Sequence, residues 1–264
     1  MIGPAPAKIN LALVVGPVRD DGKHELATVY QRVDLGDRVT VEPAAETTVT
    51  GFPEDTIVRS ALAHLDAPHG WRIHIDKEIP LAAGHGGGSS DAAPALRLAN
   101  AQLDEPRELE PIAARVGADV PFFLRDGPQL GTGVGTTLEP LDLPQDFAVL
   151  LLLPHGATKS STGDVYRAFD ERRGADGFDD RLGELREALA AVRRPRDLAA
   201  LPPNDLASSP HAARLTELGA FRADVSGAGP AVYGLFHRRA DAARARRALR
   251  GLGRVWITVP AWYG

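Results

Sequence analysis

Glycines at 84, 86, 87 and 88 remove the side chains that would keep a ligand from the backbone, and Ser89, Ser90 and Asp91 follow at once. A glycine run that enters a helix presents N–H groups and the positive end of the helix dipole, which suits an anion such as phosphate. An ordinary glycine turn capped by Ser89 or Ser90 is the plainer reading of the same residues. The run is neither a dinucleotide-binding fingerprint nor a P-loop, because no Gly-Lys-Ser/Thr follows it and no acidic residue is suitably placed on a second parallel strand. Only four of the 30 basic residues are lysines, at 8, 23, 77 and 159, so each asks for a reason.

The elements around the run fit an anion site. Trp71, Ile73 and Ile75 alternate with polar residues as in a strand that leads into the glycines, and Asp91–Leu103 has helical spacing behind them. Lys8–Gly16 reads as a half-buried strand with Ile9, Leu11, Leu13 and Val15 on one side and Lys8 at its start. Arg38–Glu42 predicts another strand, and Asp55–Leu65 and Pro106–Val116 predict helices, the second stopping near Gly117 and leaving Asp119 just beyond it. From Asp146 a new apolar strand begins. Helices follow at Gly163–Arg173, Arg181–Arg194 and His211–Leu218, then strands at Ala231–Phe236 and Arg254–Val259 around a helix at Ala240–Leu249. The pattern predicts an α+β chain of two domains, 1–144 and 145–264, divided near Pro144.

A chain of 264 residues with 44% hydrophobic and 25% charged residues can bury a substantial core. Its longest apolar run, Phe147–Leu153, is far short of the roughly 20 residues a membrane helix needs, and no signal-peptide pattern opens the chain, so a cytoplasmic location away from membranes is expected. A net charge of −5 gives no reason to expect nucleic acid as a partner. The absence of cysteine excludes disulfides, thiolate metal sites and cysteine nucleophiles.

Three stretches in order along the chain resemble the signatures of the GHMP kinase superfamily (galactokinase, homoserine kinase, mevalonate kinase and phosphomevalonate kinase). They are Pro6-Ala-Lys-Ile-Asn-Leu, Pro80-Leu-Ala-Ala-Gly-His-Gly-Gly-Gly-Ser-Ser-Asp-Ala-Ala and Val225-Ser-Gly-Ala-Gly-Pro-Ala-Val. Gly22-Lys-His-Glu-Leu, Gly117-Ala-Asp-Val-Pro-Phe-Phe, Ser161-Thr-Gly-Asp-Val-Tyr and Asn204-Asp-Leu resemble the branch that acts on a cytidyl-linked methylerythritol in the non-mevalonate isoprenoid route. The resemblance implies an N-terminal domain like domain 2 of ribosomal protein S5, a C-terminal domain of ferredoxin-like type, and ATP-dependent phosphorylation of the erythritol 2-hydroxyl. Asp119 would accept the hydroxyl proton and Lys8 would stabilise charge beside it. ATP would contact Pro80, Ala82, Ala83, Gly84, His85, Gly86, Gly87, Gly88, Ser89, Ser90 and Asp55. The acceptor would contact Asn10, Lys23, His24, Tyr166, Ser226 and Gly227. Magnesium would be held mainly through the nucleotide, with no side chain assigned as its ligand. A small molecule is the expected partner, and a homodimer is left open.

Read without the family, these residues have plainer roles: a loop cap for Asp119, a solvated strand end for Lys8, a strand-end polar group for Asn10, a loop histidine at 24 and a core aromatic at 166. Asp91 reads as a helix-capping carboxylate. The family pattern is broken at Lys23, where an aromatic residue is expected to stack on the cytosine, at Asp55, which stands for an asparagine, and at His85, which stands for a small or aliphatic residue. Two alternatives follow: a different acceptor within the superfamily, and a nucleotide-binding protein without catalysis.

Overall fold

The computed structural model describes residues 1–52, 54–79, 87–157 and 161–261. The N-terminal sheet contains β1 (Ile2–Val18), β2 (His24–Ala44), β3 (Thr48–Thr50), β4 (Gly70–Asp76), β5 (Gln129–Thr132) and β6 (Thr137–Pro140). Its order is β3-β4-β2-β5-β6, with β1 paired on β2. Helices α1 (Ile57–His64), α2 (Gly87–Asn100), α3 (Leu109–Val116) and α4 (Val120–Leu124) belong to this half. The second sheet has the order β10-β7-β9-β8, from β7 (Ala148–Pro154), β8 (Arg222–Val225), β9 (Val232–Phe236) and β10 (Gly253–Thr258). Helices α5 (Thr162–Glu171), α6 (Phe178–Ala191), α7 (Pro210–Glu217) and α8 (Arg239–Ala248) accompany it. The class is α+β. Among the described residues no helix is long and apolar enough to cross a membrane.

β2 organises the first sheet because it is long enough to serve three partners. It runs antiparallel to β1 along most of its length, while Arg38–Ala44 also pair with β4 and Thr28–Tyr30 with β5. Trp71, Ile73 and Ile75 of β4 pack with Val58 and Leu62 of α1, Leu96 of α2 and Phe122 of α4. A second cluster lies between the sheets and joins Ile9, Val29 and Val33 to Val149, Leu151, Tyr233 and Leu185.

β1 differs from its expected form. Residues 5–16 are buried throughout, so the strand is covered on both faces rather than one. Its pairing with β2 slips between Asn10 and Ala12: Asn10 faces Tyr30 and Ala12 faces Val29, which leaves Leu11 as an extra residue. Such a bulge reverses the alternation of side chains beyond it. Ile9 and Leu11 before it therefore share a cluster with Ala12 and Val14 after it, whereas Leu13 and Val15 join Phe169 and Leu206. The four residues read as one face are thus split between two cores. The short strands β3, β5, β6 and β8 lack the length that would give a periodic signal, and α2 starts at Gly87, ahead of Asp91.

Candidate active site

The bulge has a functional consequence: Lys8 and Asn10 before it and Leu13 after it line the same cleft, of about 920 Å³. β2 adds Thr28 and Tyr30, the entry to α4 adds Asp119, the start of α2 adds Gly87, Gly88 and Ser89, and the turn after β8 adds Gly227, Ala228 and Gly229.

A connected polar centre lies on the β1–β2 pair. The Lys8 ammonium donates to Asn10 Oδ1 at 2.7 Å and lies 3.3 Å from Asp119 Oδ2. Asn10 Nδ2 donates to Thr28 Oγ1 at 2.7 Å, and that hydroxyl donates to the Ala12 carbonyl at 2.8 Å. Each donor in this chain has one acceptor, which fixes the asparagine amide with its oxygen toward the ammonium. Tyr30 donates its hydroxyl to Asp119 Oδ1 at 3.0 Å. Burial first, and then the neighbouring Asp119 carboxylate, push the Tyr30 phenol well above its usual range, so it stays a donor. Lys8 is buried, whereas the Asp119 side chain keeps 27% of its exposure toward the cleft. Asp119 occupies the N-cap position of α4 yet makes no side-chain cap bond. The loop-cap role is therefore not the one it plays; its oxygens meet a phenol and an ammonium.

Lys23, His24 and Tyr166 all line the cleft. The His24 and Tyr166 rings are 4.7 Å apart at 30°, and His24 Nε2 lies 2.8 Å from Asp170 Oδ1. Burial, and then Asp119, raise the Tyr166 phenol to about 12. His24 is thus anchored between α5 side chains, not a loose loop histidine. Lys23 presents an ammonium where a ring was expected.

Several expected nucleotide contacts are placed otherwise. Pro80, Ala82, Ala83, Gly84, His85 and Gly86 lie outside the described residues. Ser90 is fully buried and donates its hydroxyl to the Pro6 carbonyl, tying α2 to β1 instead of meeting a ligand. Asp55 is buried and accepts the Val58 N–H at 2.6 Å, so its carboxylate caps α1 rather than facing a base. Burial outweighs that bond and raises its pKa. Ser226 is buried behind the Gly227–Gly229 turn, with its N–H bonded to the Ala231 carbonyl; it supports the wall that Gly227 lines.

Asp91 does not cap α2. It is buried within the helix and shares the Lys77 ammonium with Asp37, at 2.8 Å and 2.6 Å respectively. Asp37 Oδ1 also accepts the Ile79 N–H at 2.8 Å. These bonds fix the chain on both sides of residues 80–86. Burial raises the Asp91 carboxyl to about 8, with Lys77 opposing and Asp37 adding to the shift. For Lys77, burial acts to lower the pKa, but the two carboxylates outweigh it and the net shift is upward.

The turn wall is held from a distance. Asn204 Nδ2 donates to the Gly227 carbonyl at 2.7 Å and the Val225 carbonyl at 2.9 Å. Asp205 accepts the Val15 N–H at 2.8 Å and pairs with Arg181, while its own N–H donates to the Leu13 carbonyl. Sequence reading missed Thr28, Tyr30 and Asp37. The first two were within reach, since Thr28, Tyr30 and Arg32 alternate with Ala27, Val29 and Val33 in a strand that runs beside Lys8.

Residues 55–127 match the family model for the GHMP kinases N terminal domain, and residues 212–255 match that for the GHMP kinases C terminal domain. A 4-diphosphocytidyl-2-C-methyl-D-erythritol kinase of Anaeromyxobacter sp. (strain Fw109-5) is 41% identical, over 93% of this chain and 85% of its own. One of Rhodococcus jostii (strain RHA1) is 40% identical, over 94% of this chain and 88% of its own. The chain belongs to the 4-diphosphocytidyl-2-C-methyl-D-erythritol kinase family. Within the GHMP kinases it is a small-molecule kinase, and its donor is ATP. A crystal structure of a 4-(cytidine 5'-diphospho)-2C-methyl-D-erythritol kinase matches it with a TM-score of 0.78 and 34% identity, over 99% of this chain and 100% of the other.

Proposed function

We propose that this chain transfers the γ-phosphoryl group of ATP to the 2-hydroxyl of 4-diphosphocytidyl-2-C-methyl-D-erythritol, with Asp119 as the base, as a cytoplasmic step of isoprenoid synthesis. The observation that carries the reading is the Asp119 carboxylate, partly open to the cleft and held between the Lys8 ammonium and the Tyr30 hydroxyl. A carboxylate within reach of an alcohol accepts its proton as the oxygen becomes a nucleophile. The bond from that oxygen to the γ-phosphorus forms, the bond from phosphorus to the β,γ-bridging oxygen breaks, and ADP leaves with the electron pair. Lys8 pairs with Asp119 and offsets charge at the reacting phosphoryl group.

The first N–H groups of α2, at Gly87–Ser89, and the Gly227–Gly229 turn line the same cleft and suit the triphosphate. Lys23, His24 and Tyr166, which line the same cleft, would receive the cytidyl group. Among the described residues no three acidic, histidine or cysteine side chains cluster as a metal site. A magnesium ion would be carried mainly on nucleotide oxygens, with the Ser89 hydroxyl on the cleft wall as an adjoining protein oxygen, and would neutralise phosphate charge.

ADP release coupled to an optical assay, with ATP, magnesium and the cytidyl-linked acceptor, tests the reading. Turnover is expected, and Asp119→Asn should reduce kcat by about 100- to 10,000-fold. Unchanged turnover in that variant would remove Asp119 as the base. ADP release only with a mevalonate-like or amino-alcohol acceptor would overturn the acceptor.

A further inference from the structure

We infer that Tyr30 is a positioning residue for the phosphoryl-transfer step, holding the Asp119 carboxylate in the orientation in which it meets the acceptor hydroxyl; this rests on Asp119 being the base. The torsion about the Cβ–Cγ bond of an aspartate is broad, so a single contact leaves the carboxylate plane free to turn. Lys8 meets Oδ2 at 3.3 Å, and the Tyr30 hydroxyl meets Oδ1 at 3.0 Å. Two contacts on different oxygens fix the plane. A carboxylate offers about four lone-pair positions, so both contacts leave it able to accept a proton.

The phenol can act as a fixed reference because its ring cannot move. One face stacks on Phe122 at 4.7 Å and 24°, and Phe122 belongs to the same short helix that Asp119 opens. Around the rest of the side chain the β5–β6 hairpin provides a slot made by two glycines. A Cβ on Gly131 would lie 2.6 Å from Tyr30 Cε2, and a Cβ on Gly135, at φ +93°, would lie 2.7 Å from the Tyr30 hydroxyl oxygen. Only a chain without side chains at both places lets the ring sit there. The base is thereby referred to the sheet through Tyr30 and to α4 through its own backbone.

The role is separable from folding and from ligand binding. Tyr30→Phe keeps the ring and removes the hydroxyl, so it should lower kcat about 10- to 100-fold, the range for losing one hydrogen bond to a charged group. KM for ATP and for the acceptor should stay within about twofold. Gly135→Ala should lower kcat in the wild-type background by displacing the hydroxyl, and lower it less in Tyr30→Phe, where no hydroxyl remains to displace and only the backbone strain at φ +93° is left. Full kcat in Tyr30→Phe, or a loss expressed in KM instead, would overturn the role. Asp119→Asn, measured alongside, separates the two readings. If it is inactive while Tyr30→Phe is fully active, only the role of Tyr30 falls; if it retains turnover, the base assignment falls and takes the role of Tyr30 with it.

Discussion

Lys23 is the residue through which acceptor recognition in this chain can be tested. It lines the cleft next in sequence to His24, and it is exposed. A pyrimidine stacked on the Tyr166–His24 pair would have, from position 23, only an ammonium on a flexible stem to meet it. An aromatic ring stacks on a base over its whole face, worth about 1–3 kcal/mol, whereas the stem gives only partial contact. Lys23→Tyr should therefore lower KM for the cytidyl acceptor about five- to tenfold in steady-state kinetics and leave KM for ATP unchanged. No gain would place the pyrimidine elsewhere in the cleft. At this scale the sequence was informative where a residue type was out of character: Lys8 drew notice because lysines are rare in the chain, and it is the buried cation of the centre. Tyr30 gave no such signal. A tyrosine in an alternating strand looks like core, and what distinguishes it is a carboxylate 89 residues away.

The strand–loop–helix unit from β4 to α2 is fastened by a charge cluster, and that cluster gives the element a pH dependence. In the folded chain the Asp91 carboxyl is raised to about 8 from its ordinary value of 3.8, chiefly by burial. Between those values the folded state holds a proton that the unfolded chain has released, so stability falls as pH rises through this window. The Lys77 pKa is raised above 10.5, so its own contribution is lost only at higher pH. Thermal unfolding followed from pH 6 to pH 9 should show Tm declining, and Asp91→Asn should flatten the decline. An equal slope in both proteins would mean that some other group titrates. The helix behind the glycines was legible from its apolar spacing. Its first turn was not, because Gly87 and Gly88 carry no periodic signal, and Asp91 looked like a cap because its partner, Lys77, reaches it from another element. Ser90 misled for a similar reason: a serine after glycines suits an anion, yet here it meets a carbonyl of β1.

Across the whole molecule, the Asn204–Asp205 pair joins the two sheets at the cleft. Asn204 holds the turn that carries Gly227, and Asp205 holds β1 at Leu13 and Val15. Asn204→Ala removes the donors to the buried Val225 carbonyl and the half-buried Gly227 carbonyl and should destabilise the protein by about 1–3 kcal/mol in a denaturant titration. Because the turn lies on the proposed phosphate side, the same variant should raise KM for ATP more than KM for the acceptor. Equal changes in both would detach the turn from nucleotide binding. The α+β class and the order of the longer elements could be read from periodicity, but this join spans some 190 residues and has no local pattern. Its residues were visible only as part of a family signature. The extra residue at Leu11 acts at this scale as well. It makes β1 a strand in two reading frames, one that sets Lys8 and Asn10 over the chemistry and another that sets Ala12 and Val14 between the sheets. The two-for-one count keeps Asn10 opposite Tyr30 and Ala12 opposite Val29, so the seam between the halves gains the Leu11 side chain while the ammonium keeps the register it would have in an even ladder.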